Sequence, residues 1–231
     1  MCGIFAIVNN ENTFTKSELE TEFQKGYSRG PESSSFNVFS QKITFGFHRL
    51  AINGLNPESD QPIYSDRITL ICNGEIYNYR ELYKMMNITP KTDSDCEVII
   101  HLYKKYGIEQ CLHMLDGVFS FILYDFRGIE QPVFIARDPY GIRSLYWMEY
   151  FIDTPNHERF IYGFASELKC LSTLYNKKHE SRNILMNENV SPNRWGQFIP
   201  GPYSKLSLPN KAIGNYRIEI ENKSYHDLPC S

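Results

Sequence analysis

The sequence predicts an α+β domain in which strands dominate and the helices are grouped toward the middle of the chain. Apolar runs rich in β-branched and aromatic residues recur along the 231 residues, and the 16 Tyr and 15 Phe suit the pleated surface of a sheet. Several of these runs are nearly continuous in apolar residues, as in strands that are covered on both faces. A chain of this length can bury a sizeable core as one large domain or two small ones.

Seven apolar runs are predicted to be strands. Aromatic and β-branched residues dominate each of them, which favours strands over helices at this length. The polar stretch from about 175 to 196 predicts a loop, and short strand-like pieces follow it from Phe198 onward. The seven runs are GIFAIV (3–8), ITFGFHRLAI (43–52), ITLICN (68–73), VFSFILYDF (118–126), PVFIAR (132–137), SLYWMEYF (144–151) and RFIYGFA (159–165).

Three segments between the strands carry the spacing of a helix capping box. In this pattern a polar residue caps the helix and a glutamate three residues later bonds back to it. A fourth helical stretch, IEQCLHML, runs into an Asp-Gly pair, and glycines at 26 and 107 stand where helices commonly end. The capping pairs are Thr15 with Glu18, Asn78 with Glu81, and Ser94 with Glu97.

Charge and cysteine content exclude several classes of protein. The net charge of −3 favours neither nucleic acid nor an anionic membrane as a partner. No secretory signal and no run long enough to span a bilayer is present, so we expect a cytoplasmic protein with reduced thiols. No metal site is expected, because no CxxC pair or zinc-like His/Cys spacing occurs among the cysteines, which are Cys2, Cys72, Cys96, Cys111, Cys170 and Cys230.

Cys2 stands directly behind Met1 and could act as an N-terminal nucleophile. If Met1 is removed, one residue carries both a thiol, with a pKa of about 8.5, and an α-amine, with a pKa of about 7.7–8.0. The free amine can take the thiol proton, so no separate histidine is required. The alternative is that Cys2 is a small buried hydrophobic residue, which is the commoner use of a lone cysteine.

The segment ICNGEIYNY supplies candidate groups for stabilising an oxyanion. We predict that a strand ends at Asn73, that a turn follows at Gly74 and that a helix begins near Asn78. The Asn73 amide can donate a hydrogen bond, and a glycine lets its backbone N–H approach a ligand closely. The alternative is an ordinary Asn-Gly turn.

Two charged residues are candidate contacts for a small molecule. Arg49 lies in an otherwise apolar run and suits a carboxylate, although an internal salt bridge explains it equally well. Asp95 would take the first helical position and suits an ammonium group, although helix-start electrostatics alone is the commoner reason for such an aspartate. His48 is interpreted as a packed structural histidine.

Nine segments together resemble one family, in the expected order and at about the expected spacing. The chain is similar, over residues 2–229, to the N-terminal glutaminase domain of asparagine synthetases, which are class II glutamine amidotransferases. The segments are CGIF at 2–5, SRGPES (28–33), FGFHRLAI (45–52), QPI (61–63), NGEIYNY (73–79), TDSDCEVI (92–99), LDGVFSFILYD (115–125), ARDPYGIRSLY (136–146) and ASELKCL (165–171).

The resemblance implies an N-terminal-nucleophile hydrolase fold, a four-layer αββα sandwich of two largely antiparallel sheets. It also implies hydrolysis of glutamine to glutamate and ammonia through a thioester on Cys2, with the α-amine as base and with Asn73 and Gly74 as the oxyanion hole. Ammonia would serve asparagine synthesis from aspartate. The implied glutamine-binding residues are Arg49 for the α-carboxylate, Asp95 and Glu75 for the α-amino group, and Leu50, Ala51, Ile52, Asn53, Asn73 and Gly74 around the pocket.

The sequence departs from the family's pattern in three respects. Ser28 stands where many members have His, and Glu32 where they usually have Asp; neither is expected to contact the chemistry. No Ser-Gly-Gly-x-Asp-Ser pyrophosphate loop and no P-loop occurs. We therefore expect this chain alone to act as a glutaminase without a cofactor. ATP and Mg would belong to a full-length member, and a separate synthetase domain or chain would be the partner.

Two alternatives remain open at this point. One is an amidotransferase for another acceptor, such as an aminosugar or purine precursor. The other is a catalytically silent remnant that binds glutamine or a synthetase partner. Retention of Met1 would favour the silent remnant, because a blocked Cys2 has no free amine.

Overall fold

The described residues of this computed structural model, 1–153, 158–177, 193–208 and 219–226, form two antiparallel sheets of six strands each. The first sheet has the order β10 (Arg194–Gln197), β8 (Tyr146–Asp153), β9 (Glu158–Ala165), β1 (Gly3–Val8), β3 (Ile43–Arg49), β2 (Ser33–Val38). The second has the order β12 (Glu219–Ser224), β11 (Pro202–Ser207), β7 (Val133–Arg137), β6 (Gly117–Asp125), β5 (Ile68–Ile76), β4 (Ile63–Ser65).

The two sheets are stacked, and helices cover their outer faces. Helices α1 (Lys16–Gln24) and α4 (Lys169–Asn176) contact each other and pack on the first sheet. Helices α2 (Tyr79–Met86) and α3 (Val98–Met114) pack on the second. A third apolar cluster fills the space between the sheets. This is the αββα sandwich of antiparallel sheets that the resemblance implies, so the predicted fold class is confirmed.

Strand β1 shows why a continuous run of apolar residues predicts a strand that is covered on both faces. All six of its residues are buried. Ile4 and its alternate neighbours pack into the cluster between the sheets, whereas Phe5 and Ile7 pack against the helices of the first sheet. Successive side chains of a strand point to opposite faces, so a central strand of a four-layer sandwich must be apolar throughout.

The helix starts follow the capping signals with two differences. Thr15 and Glu18 form the predicted capping box of α1. Asn78 precedes α2, but its side chain bonds the backbone of Met114 and Asp116 instead of capping the helix. Ser94 caps a short 3₁₀ turn over Asp95–Glu97. The prediction that Asp95 takes the first α-helical position was therefore wrong.

The middle and end of the chain contain further differences from the predicted elements. Gly107 adopts a φ of +78° and kinks α3, which separates its two predicted helical stretches. Strands β2 and β4 were missed, because they are edge strands whose exposed side chains break the apolar pattern. Within the predicted loop, residues 194–197 form β10, whereas residues 178–192 and the domain boundary at 229 lie outside the described residues. None of the described helices has both the length and the apolar composition needed to cross a bilayer.

Glu97 joins the start of α3 to the loop before it. Its buried carboxylate accepts the backbone amides of Lys91 and Thr92, the Thr92 hydroxyl, and His101 Nε2 at 3.0 Å. Burial by itself would raise the pKa of Glu97, but these hydrogen bonds outweigh it and lower the pKa to about 2. The ionised form is therefore the one that the fold stabilises.

We predict that Glu97→Gln lowers the free energy of unfolding at pH 7 by about 2–3 kcal/mol. Because the folded-state pKa lies below the unfolded one, this difference is present above about pH 5 and vanishes as the pH falls toward 2. Urea unfolding followed by circular dichroism at pH 7, 5 and 3 measures it. The exposed Glu20→Gln provides a control, and an unchanged difference down to pH 3 would contradict the assignment.

Candidate active site

Cys2 lies at the start of β1, where the sheet register places it beside the end of β3. Gly3 pairs with His48, so Cys2 lies next to the loop that begins at Leu50. The Cys2 Sγ is 3.4 Å from both the N and the O of Leu50. Arg29 Nε donates to the Cys2 carbonyl oxygen at 2.8 Å. Hydrogen bonds to Leu50 and Arg29 therefore hold both the thiol and the main chain of Cys2 in place.

The surroundings of the Cys2 thiol favour its protonated form. Burial raises the pKa of Cys2, and the Leu50 amide, the N-terminal ammonium of Met1 and the positive charge of Arg49 offset this only in part. A thiol in this position needs a base that removes its proton before it can act as a nucleophile.

One backbone donor on the outer edge of β5, the Gly74 N–H, is open toward the cleft that contains Cys2. Strand β4 pairs with residues 68–70 of β5, so among the described residues the outer edge of β5 has no strand partner from Cys72 onward. Along that edge the Cys72 backbone bonds the Gln61 side chain, and the Ile76 amide bonds Asp95 Oδ2 at 2.6 Å. Alternate residues of a strand direct their amides to the same edge. Gly74 lies between these two, and its N–H faces the cleft.

Gly74 is required by packing as well as by its position in the cleft. The prediction of a turn at this residue was wrong, because β5 continues to Ile76. A Cβ at Gly74 would lie 2.7 Å from the Val118 carbonyl oxygen and 2.8 Å from the Phe119 Cβ on β6. The absent side chain therefore allows β6 to pair closely with β5 and keeps the amide uncovered on the other side.

Asn73 provides a second unpaired donor beside Gly74. The residue is 1% exposed, and its Nδ2 has no hydrogen-bond partner within the described part of the chain. A buried donor without a partner is costly, so such a group indicates a place where a ligand acceptor can bind.

Arg49 forms the internal salt bridge that the sequence left open as one of its two roles. Its guanidinium forms an ion pair with Asp60 at 2.5 Å and donates to the carbonyl oxygens of Asn56 and Gly54. These contacts shape the loop that follows β3. Arg49 also lines the cleft that contains Cys2. The Asp60 side chain is 39% exposed, whereas that of Arg49 is 9% exposed.

The cleft also carries a pair of carboxylates, those of Asp95 and Glu75. Asp95 is buried, and burial and the nearby charge of Glu75 raise its pKa, while bonds from the Ile76 amide and the Asn53 side chain act in the opposite direction. A positively charged ligand group between Asp95 and Glu75 would relieve this repulsion. The arrangement suits an ammonium group.

All ten residues predicted for the site line one cleft, which the structure forms between the ends of the two sheets. They come from four separate parts of the sequence. The ten are Cys2, Arg49, Leu50, Ala51, Ile52, Asn53, Asn73, Gly74, Glu75 and Asp95. His48 lies outside the cleft, stacks on Phe23 and bonds Ser34, which confirms its structural interpretation.

The structure adds residues that the sequence did not single out. Glu32 does not line the cleft, but its Oε2 accepts the Ala51 amide at 2.9 Å and so contacts the loop that does. The motifs QPI and ARDPYGIRSLY contain two of the missed residues and were the available signal. The additional lining residues are Phe47, Ser59, Gln61, Cys72, Ser94, Cys96 and Arg143.

Arg143 is presented to the cleft by a loop that two buried charges support. Asp138 accepts four backbone amides, and Arg137 donates to three carbonyl oxygens at 2.5–2.6 Å. The Nε of Arg143 has no hydrogen-bond partner among the described residues. The side chains of Asp138 and Arg137 therefore hold this loop, and the Nε of Arg143 remains available at the cleft.

Comparison with known proteins agrees with the family resemblance found in the sequence. A family model for the glutamine amidotransferase domain matches residues 1–196. Proteins named asparagine synthetase [glutamine-hydrolyzing] are similar to the chain: that of Homo sapiens is 35% identical and that of Gallus gallus 36% identical, each over 99% of this chain and 38% of its own length. That of Mus musculus is 35% identical over 98% of this chain and 36% of its own length. The chain thus spans less than two fifths of these relatives.

We predict that, in N-terminal peptides that still carry Met1, alkylation of Cys2 by iodoacetamide accelerates with pH up to and beyond pH 9, because burial raises the thiol pKa above its ordinary value of about 9. Mass spectrometry of the N-terminal peptide after timed quenching measures the rate. The fully buried Cys111 is the internal control and should stay unmodified. A rate that levels off below pH 8 would show that the thiolate is instead stabilised.

Proposed function

Because the chain belongs to the glutamine amidotransferase domain family, we propose that it hydrolyses the side-chain amide of glutamine through a thioester on Cys2. One observation carries the proposal. The Asn73 Nδ2, which has no hydrogen-bond partner among the described residues, and Gly74, whose N–H is directed to the open edge of β5 by strand alternation, line the same cleft as the Cys2 thiol. A nucleophile next to converging donors is the arrangement that acyl transfer needs.

The first step requires a free α-amine on Cys2. Met1 is 51% exposed, which leaves it accessible to a processing enzyme, and cysteine is small enough for methionine removal. The amine then takes the thiol proton, and the sulfur attacks the amide carbon of glutamine. A carbon–sulfur bond forms, and the electron pair of the carbonyl moves to its oxygen.

The negative oxygen of the tetrahedral intermediate is stabilised by the Asn73 Nδ2 and the Gly74 N–H. When the intermediate collapses, the protonated amine gives its proton to the leaving nitrogen, and ammonia departs. Water, deprotonated by the same amine, then attacks the thioester. The carbon–sulfur bond breaks, glutamate is released, and Cys2 recovers its proton. These steps need no cofactor.

Charge complementarity supports glutamine as the substrate. Arg49 would bind the α-carboxylate, while Asp95 and Glu75 would bind the α-ammonium group. The loop of residues 50–53 would line the pocket around the substrate. Asp60 already accepts a hydrogen bond from the Arg49 Nη1. The substrate carboxylate would therefore bind the remaining N–H donors of the guanidinium.

We propose asparagine synthesis as the use of the ammonia, because the similar proteins are named asparagine synthetase [glutamine-hydrolyzing]. The family resemblance implies that the acceptor is aspartate. In this proposal residues 2–229 form the glutaminase domain, and a synthetase domain or a separate synthetase chain uses the ammonia. ATP and Mg would act only in that synthetase part. We place the reaction in the cytoplasm.

We predict that Cys2→Ala abolishes glutamine hydrolysis, with at least a 10³-fold loss, and leaves the melting temperature unchanged within about 2 °C. Glutamate release measures activity. Cys111→Ala removes a thiol outside the cleft and should retain the turnover of the wild type. Intact mass before and after 6-diazo-5-oxo-norleucine should show loss of Met1 and one adduct on Cys2. Retained turnover in Cys2→Ala, or a wild type that keeps Met1 and takes no adduct, would refute the mechanism.

We predict that Arg49→Lys raises the KM for glutamine at least tenfold and lowers kcat by less, because a lysine cannot form the paired hydrogen bonds of a guanidinium with a carboxylate. Steady-state kinetics provide the measurement. Arg127→Lys is the matched control, since that guanidinium pairs with Asp125 outside the cleft. An unchanged KM would assign Arg49 to the loop alone.

A further inference from the structure

We propose that Gln61 is a positioning residue that holds the edge of β5 so that the Gly74 N–H is directed at the reacting oxygen. This inference rests on the proposed function, because it concerns the oxyanion donor of that reaction. Gln61 does not contact the substrate in this proposal. It acts through the backbone of Cys72.

Both polar atoms of the Gln61 side chain bind the backbone of one residue of β5, Cys72. Its Nε2 donates to the Cys72 carbonyl oxygen at 3.0 Å, and its Oε1 accepts the Cys72 N–H at 2.6 Å. The residue is 7% exposed. These two bonds are the pattern that a neighbouring strand would make, and they are made by a side chain.

The sheet register explains why a side chain is needed here. Ile63 pairs with Leu70, and continuing that register would place the main chain of Gln61 opposite Cys72. The chain leaves the sheet before that position, and the Gln61 carbonyl oxygen instead accepts the Ser35 hydroxyl of β2 at 2.5 Å. Gln61 therefore connects an edge strand of the first sheet to the edge of β5 in the second.

The consequence for Gly74 follows from its position in the strand. On the outer edge, the amide two residues before it is held by Gln61, and the amide two residues after it is held by Asp95. Gly74 has no side chain to restrict its backbone. Pairing with β6 holds the inner side of Gly74, and the direction of its N–H on the outer edge depends also on the neighbours that are held there. A shift of about 1 Å in a reacting group can cost about 100-fold in rate.

A carboxamide makes both bonds whatever the pH. An ionised glutamate at position 61 has the same shape but cannot donate to the Cys72 carbonyl, and a methionine can neither donate nor accept strongly. Methionine or an ionised glutamate therefore leaves part of the Cys72 backbone unsatisfied in a buried place. The outer edge of β5 would then shift or admit water, and the Gly74 N–H would no longer be directed at the reacting oxygen.

The test compares Gln61→Met and Gln61→Glu with the wild type and with Gln131→Met, a control whose side chain bonds Tyr124 away from the cleft. We expect kcat for glutamine hydrolysis to fall about 10- to 100-fold in both Gln61 variants, with KM changed less than about threefold. The Gln131 variant should match the wild type.

Two readouts separate positioning from a general structural role. Glutamate γ-aldehyde forms a tetrahedral adduct with a thiol, so its affinity should fall by the same factor as kcat/KM. Glutamate affinity and the rate of iodoacetamide alkylation of Cys2 should stay within about twofold of the wild type. The melting temperature of each variant is measured alongside.

The outcomes are distinguishable. A wild type that does not hydrolyse glutamine overturns the proposed function and this inference with it. An active wild type with folded Gln61 variants of normal kcat overturns this inference alone. Parallel losses of glutamate affinity, alkylation rate and melting temperature also overturn it, because they show a structural role. If both variants fail to fold, Gln61→Asn keeps the carboxamide one methylene shorter, and normal kcat in that variant overturns the proposal.

Discussion

Buried backbone amides must find hydrogen-bond partners, and this constraint shapes the working end of the sandwich. Strand β5 extends beyond the short edge strand β4, which leaves a row of amides without a strand partner. Gln61 occupies the first open position and Asp95 the last. The remaining amide, at Gly74, faces the cleft. A short edge strand thus leaves the Gly74 amide open toward the cleft.

Charged side chains shape the rest of the cleft by binding main chain more than by binding one another. Arg49 organises the loop after β3 through two carbonyl oxygens in addition to Asp60. Arg137 and Asp138 do the same for the loop that carries Arg143. Buried charges are tolerated when hydrogen bonds compensate their desolvation, and here that compensation defines two loops around one cavity. Their rigidity reduces the reorganisation that substrate binding would require.

Local patterns predicted most of the fold. The continuous apolar run of β1 and the capping box of Thr15 and Glu18 depend on burial and on short-range hydrogen bonds, which can be identified within a few residues. The edge strands β2 and β4 escaped prediction because their partly exposed side chains lack the apolar pattern. Gly74 was misplaced in a turn, since the Asn-Gly pair is a strong local turn signal and only the partner strand β6 shows that the strand continues.

The sequence by itself determined the layered α+β class and, through a family resemblance, the ten candidate site residues. It could not decide whether Arg49 binds a ligand or an internal carboxylate, because Asp60 is brought to it by the course of the loop. Nor could it assign a role to Gln61, whose partner is a backbone group eleven residues away. Side-chain chemistry is readable from residue identity, whereas the pairing of a side chain with distant main chain is decided only when tertiary structure brings the two together.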